Sequence, residues 1–206
     1  MRQRKRRWNV EIFSRQQGPL MERIQRLQRI GGQYSCIRKQ SYQFTGDALE
    51  LETEYVDVGT LKDVSALYRG LELLGQELED INRGLPHGDI NVKNVIWSGQ
   101  EFVLIDWEPL LEIDLGDVVV LRGTRPYISM RDRLRSSLTK DTDKLGFFYF
   151  CRKTIHGWFP TVESEVIGFD DQIWRLDFSS VLKMAAQCPP SQGVSNHGVR
   201  DGKRFR

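Results

Sequence analysis

Cysteine is scarce in this sequence. Cys36, Cys151 and Cys188 lie far apart and show no C-x-x-C spacing, which argues against a disulfide framework and leaves them as reduced thiols. Histidine is equally sparse, and His87, His156 and His197 are not spaced as zinc ligands. No stretch approaches the roughly 20 apolar residues of a membrane span, and no apolar run of signal-peptide kind follows the basic start Met1 to Arg7. Cytoplasmic residence is therefore the expectation. Charge of one sign is also lacking: 28% of residues are charged, yet the net charge is only +2. Basic residues concentrate only at the two ends, which read as solvated tails (1–8 and 189–206), and nothing points to a nucleic-acid fold. From Pro189 onward there is almost no large apolar residue, so burial cannot offset the entropy of ordering that stretch.

What is present is a succession of patterned segments in a chain of 206 residues, 39% hydrophobic, enough for one substantial core or two small lobes around a cleft. Trp8 to Phe13 alternates like a strand, and Leu20, Ile24 and Leu27 predict a helix that Gly31-Gly32 stops. Tyr34 to Phe44 and Ala48 to Val56 read as a hairpin around Thr45-Gly46-Asp47, with Glu50, Glu52 and Glu54 on a wet face. From Val64 the period lengthens, and Leu67, Leu71, Leu74, Leu78 and Ile81 mark a long amphipathic helix ending at Gly84. Val95 to Trp97 and Phe102 to Ile105 flank Ser98-Gly99-Gln100, a second hairpin signal. The remainder reads as mostly helical, with apolar residues in Leu145 to Ile155 and Ile173 to Met184.

One constellation carries chemistry. Asp89 and Asn94 stand five residues apart on a loop between a long helix and a strand, and Asp106 ends the paired strand, an arrangement that can gather three oxygen ligands. Phosphoryl transfer from a nucleotide asks for hard oxygen donors to hold magnesium and a carboxylate to orient the attacking hydroxyl, and this trio supplies both. The plain alternative is that Asp89 and Asn94 make turn hydrogen bonds and Asp106 caps a strand end.

The run H-G-D-I-N-V-K-N, a short hairpin, then L-I-D-W-E resembles the catalytic and metal-binding loops of the protein-kinase-like phosphotransferases. The resemblance covers roughly 9–160. It implies an α+β, reduced two-lobed protein-kinase-like fold: a small β-rich N-lobe over 9–56 and a mainly helical C-lobe over 57–188. It also implies Asp89 as the catalytic aspartate, Asn94 and Asp106 as magnesium ligands, and His87 as a structural residue of the loop. L-E-T-E-Y-V-D-V-G-T-L looks like the hinge between kinase lobes, with Thr53 at the gatekeeper position and the backbone of Glu54 to Val56 facing adenine. R-G-T-R-P-Y-I-S resembles the end of an activation segment, with Thr124 supporting the catalytic aspartate, and Asp143 resembles the helix aspartate that braces the loop from below. The implied cofactors are ATP and Mg2+, and the implied acceptor is a protein hydroxyl.

The sequence also departs from that pattern. No G-x-G-x-x-G loop precedes the first strand, and aligning N-V-E-I-F with the strand that carries the phosphate-pairing lysine puts Glu11 or Phe13 there; Lys5 or Arg7 from the basic start is the remaining source of a cation. Glu22 is the candidate for the lysine's partner. Gly88 replaces the arginine that many protein kinases pair with a phosphorylated segment, and Arg131 stands where a glutamate is usual. Asn91 and Trp107-Glu108 resemble aminoglycoside and choline phosphotransferases instead. Three readings follow: a minimal protein kinase, a small-molecule kinase, and a pseudokinase that binds without transferring phosphate.

Overall fold

The computed structural model describes residues 3–9, 17–45, 48–107, 113–115, 118–120, 124, 127–128, 132, 138–157 and 172–187. The fold is α+β. In chain order the described elements are β1 (Gln3–Asn9), α1 (Gln17–Ile30), β2 (Gln40–Thr45), β3 (Ala48–Glu54), α2 (Val64–Ile81), β4 (Val95–Trp97), β5 (Phe102–Leu104), β6 (Ile113–Leu115), β7 (Val118–Val120), α3 (Thr142–His156) and α4 (Phe178–Gln187). The strands form a three-stranded antiparallel sheet in the order β1-β3-β2 and two antiparallel hairpins, β4-β5 and β6-β7.

The first strand corrects two expectations at once. Strand structure begins at Gln3, not Trp8, so residues 3–8 are no tail but part of the sheet. The register gives the physical reason: Lys5 pairs with Glu52 and Arg7 with Glu50 on β3. Unlike charges directly opposite one another favour an antiparallel pair, so the acidic residues of β3 select a basic neighbour. Glu11, Phe13, Glu108, Arg131 and the stretch 189–206 lie outside the described residues.

Helix α2 is the spine of the core. Asp63 caps it, accepting from the backbone N–H groups of Ser65 (2.9 Å) and Ala66 (3.2 Å). Its stripe of Leu67, Leu71, Leu74, Leu78 and Ile81 is buried, each side chain contributing about 1.5–3 kcal/mol by leaving water. Helix α3 is different in kind, because every residue from Thr142 to Arg152 is buried and no wet face exists over that length. Such a helix belongs inside. It packs against α4, which also contacts α2.

Two tethers place the β4-β5 hairpin. On one side the Leu104 N–H donates to the Cys36 carbonyl at 2.8 Å, and the Ser35-Cys36 turn is itself held by the Glu77 carboxylate of α2. On the other, the Gly59 N–H donates to the Trp97 carbonyl at 2.7 Å. A Cβ at residue 59 would lie 2.3 Å from the Gly99 backbone nitrogen, so only glycine permits this approach. The β6-β7 hairpin was not anticipated in a remainder read as helical, although Gly116-Asp117 before the β-branched run Val118 to Val120 is a recognisable signal.

Candidate functional site

Between α2 and β4 the chain runs from His87 to Asn94 without regular structure, and its polar side chains close on one another. The Asp89 carboxylate receives three hydrogen bonds. Oδ1 accepts from the Thr124 N–H (2.9 Å), while Oδ2 accepts from the Thr124 hydroxyl (3.1 Å) and the Asn94 amide (3.0 Å). A carboxylate can accept about four such bonds, so room remains at Oδ1 for one more donor.

The Asn94 amide nitrogen spends both hydrogens on Asp89, one on Oδ2 and one on the backbone carbonyl at 2.9 Å. Both partners are acceptors, which fixes the orientation of the amide and leaves Asn94 Oδ1, a hard oxygen donor, without a hydrogen-bond partner among the described residues. Asn91, also buried, donates from Nδ2 to the Asp89 carbonyl (3.1 Å) and accepts from the Lys93 N–H (2.8 Å), forming the turn itself. The loop joins the hairpin where the Ile105 N–H donates to the Asn94 carbonyl at 2.8 Å, so Asp106 follows the residue that bonds to Asn94. Asp106 has φ +61°, the only positive φ among the described non-glycine residues. Aspartate tolerates that conformation better than most residues, and strained backbone of this kind gathers at functional sites.

His87 is fully interior. Its Nδ1 accepts from the Asp89 N–H (3.2 Å), so the proton sits on Nε2, which donates to the Ile105 carbonyl at 2.9 Å. Burial pushes its pKa below the ordinary value, with Asp143 opposing, and the ring stays neutral. The ring meets the edge of Trp107 at 4.6 Å between centroids, and Trp107 Nε1 donates back to the Leu104 carbonyl. His87 thus ties the loop to the end of β5 as a structural bridge. Tyr127, buried beside the loop, has its hydroxyl pKa pushed up to about 12 by desolvation.

Beneath the loop, Asp143 projects from the first turn of α3. Its two oxygens accept the N–H groups of His87 and Gly88, each at 2.6 Å. Two successive N–H groups can turn to one carboxylate because Gly88 has φ +85°, a conformation glycine adopts without cost. The sequence reading missed Arg23 of α1. Its Nη1 donates to the Pro86 carbonyl (2.8 Å) and Nη2 to the His87 carbonyl (3.2 Å). The signal was available: Arg23 lies on the apolar stripe of α1, three residues after Leu20 and four before Leu27.

The structure therefore brings together His87, Asp89, Asn94, Thr124 and Asp143, and sets Asp106 beside them through the strand pair. Glu54 and Val56 are not in that cluster and bond to none of its members. The Glu54 N–H donates to the Lys39 carbonyl (3.1 Å), whereas buried Val56 has no hydrogen-bond partner for its backbone among the described residues. Glu22 pairs with Arg26 on its own helix at 2.5 Å. No group of three His, Cys, Asp or Glu side chains among the described residues could hold a metal ion, and among them no helix is long and apolar enough to cross a membrane. A divalent ion at the loop would rest on Asn94 Oδ1 and the Asp106 carboxylate, a donor set of hard oxygens that suits magnesium with the balance from phosphate and water. No protein-family model matches the chain, and no curated protein matches it.

Proposed function

We propose that the chain is an ATP- and magnesium-dependent phosphotransferase with a reduced, two-lobed protein-kinase-like fold, passing the γ-phosphate to a protein hydroxyl. The observation that carries this reading is the Asp89 carboxylate, fixed by Thr124 and Asn94 yet retaining acceptor capacity at Oδ1. In the proposed reaction the acceptor oxygen attacks the γ-phosphorus, ADP leaves, and the acceptor's proton passes to Asp89. Bound magnesium would neutralise charge on the phosphates, and Asn94 and Asp106 are the residues to hold it. Val56 offers backbone hydrogen-bonding groups for adenine at the end of β3. The pairing of basic strand β1 with β3 supports Lys5 or Arg7 as the source of a cation for the phosphates.

A specific observation favours a second reading, a small-molecule kinase: Asn91 turns inward to the Asp89 carbonyl where a protein kinase commonly offers an outward lysine. A pseudokinase that binds partners or nucleotide without transfer is the third.

Labelled ATP, magnesium and two acceptor panels, proteins and amino alcohols or aminoglycosides, separate the three. Transfer to protein that falls by about 10²–10⁴ in Asp89→Asn supports the first reading. Transfer only to the small acceptors moves the assignment to the second, and no transfer to either panel removes both enzyme readings.

A further inference from the structure

The loop's main-chain geometry is held by an opposed pair of charges. Two consecutive peptide groups, Pro86-His87 and His87-Gly88, are each bonded at both ends. Their carbonyl oxygens accept from the Arg23 guanidinium at 2.8 and 3.2 Å, and their N–H groups donate to the Asp143 carboxylate at 2.6 Å each. Each peptide dipole thus lies with its negative end on a cation and its positive end on an anion. Arg23 and Asp143 come from elements 120 positions apart in the chain, α1 and α3, and meet only through these peptides.

We infer that Arg23 is a positioning residue: with Asp143 it fixes the two peptides before Asp89, and so sets where the Asp89 carboxylate points. This deepens the phosphotransfer reading and rests on it for its catalytic consequence, though not for the clamp itself. The chain of contacts is short. Fixing the His87 carbonyl and N–H fixes the imidazole, whose Nδ1 receives the Asp89 N–H. Losing the grip on the carbonyls frees both peptides to rotate against Asp143, and the carboxylate moves relative to Thr124. Arg26 adds a second hold, donating to the Gly84 carbonyl, so the approach to the loop is bound to α1 at three carbonyls. Burial lowers the Arg23 pKa and Asp143 opposes that, in keeping with a guanidinium whose charge is matched across the peptides. A consequence is that docking of α1 and competence of the loop are one equilibrium.

The test uses the full chain and two readouts. In Arg23→Lys a single ammonium keeps the charge opposite Asp143 but replaces the rigid fork, in which separate nitrogens hold the two carbonyls, with one rotatable point donor. We expect hydrogen exchange at the His87 and Gly88 amides to quicken by about tenfold or more while amides in the middle of α3 are unchanged. We also expect kcat for phosphotransfer to fall roughly ten- to a hundredfold with KM for ATP unchanged, the mark of displaced geometry. Arg23→Met should show the same with larger amplitude, and if it does not fold, Arg23→Lys decides alone. Unchanged exchange at His87 and Gly88, or exchange that rises equally throughout α3, overturns the inference. A wild-type chain that transfers no phosphate sinks the proposed function, while the amide readout still decides the clamp.

Discussion

Around Asp89 polar side chains bond to main chain and to one another, whereas the sheet that precedes it sets β1 and β2 on either side of β3. The loop draws on α1, α3, the residue after β5 and the segment at Thr124, and its bonds run between residues up to 64 positions apart. The sheet joins a tight β2-β3 hairpin to β1, whose partners on β3 lie 39 to 51 positions away. It pairs a strand of four consecutive basic residues with one bearing three glutamates, and it meets the core cluster through Tyr42 of β2, which packs against it. One region is specified by buried hydrogen bonds that leave no alternative arrangement at low cost. The other carries unlike charges at facing register positions, an attraction that salt weakens. In the proposed reaction the first region holds the reacting hydroxyl and the second attracts the phosphates.

The hardest blow to the loop is Asp143→Asn. The amide keeps one acceptor oxygen but turns an NH2 toward a buried N–H, and it leaves the Arg23 guanidinium without its counter-charge. Leaving a buried N–H without its acceptor costs about 1–3 kcal/mol, so a urea or guanidinium titration should show a clear loss of stability. A loss under about 1 kcal/mol would mean that the loop is no more tightly specified than the sheet. The sheet calls for a different probe. Replacing Arg4, Lys5, Arg6 and Arg7 together by glutamine should raise KM for ATP by about tenfold and leave kcat within about threefold, since it removes attraction for phosphate without touching Asp89. Loss of kcat with KM intact would place the strand's role in folding instead.

The same contrast explains what could be read in the sequence. The hairpin at Ser98-Gly99-Gln100, the stripe of α2 and the order of polar residues from His87 to Asp106 are local patterns, and each element stands where its pattern put it. Thr124 and Asp143 were legible only through resemblance, because no local pattern says that residues 35 and 55 positions away bond to Asp89 and Gly88. Arg23 escaped notice because an arginine on an apolar stripe is usually a side chain reaching past the core to water, and only tertiary structure shows it turning to main-chain carbonyls. The placement of β1 was misread for a related reason. A run of like charges reads as a solvated tail until the acidic strand that faces it is known, and the pairing rule lives between strands rather than within either.

The smallest expected effect tests the loop's interior by pH. His87 is buried and neutral, with Asp143, Arg23 and Asp89 as its charged neighbours, and burial holds its pKa below the ordinary 6.5. The unfolded chain therefore takes up a proton near 6.5 that the folded chain refuses. Stability from this group is fully present above that pH and is lost as pH falls toward the depressed folded value. For one proton the loss between about pH 7 and pH 6 is at most about 0.7 kcal/mol. Comparing denaturant midpoints of the wild type and His87→Gln across that interval isolates the term, because a glutamine can still donate to the Ile105 carbonyl and does not titrate. The wild type should lose the increment and the variant should not. Parallel curves would mean that the imidazole takes a proton in the folded chain too, and that the Asp89 N–H is not bonded to Nδ1.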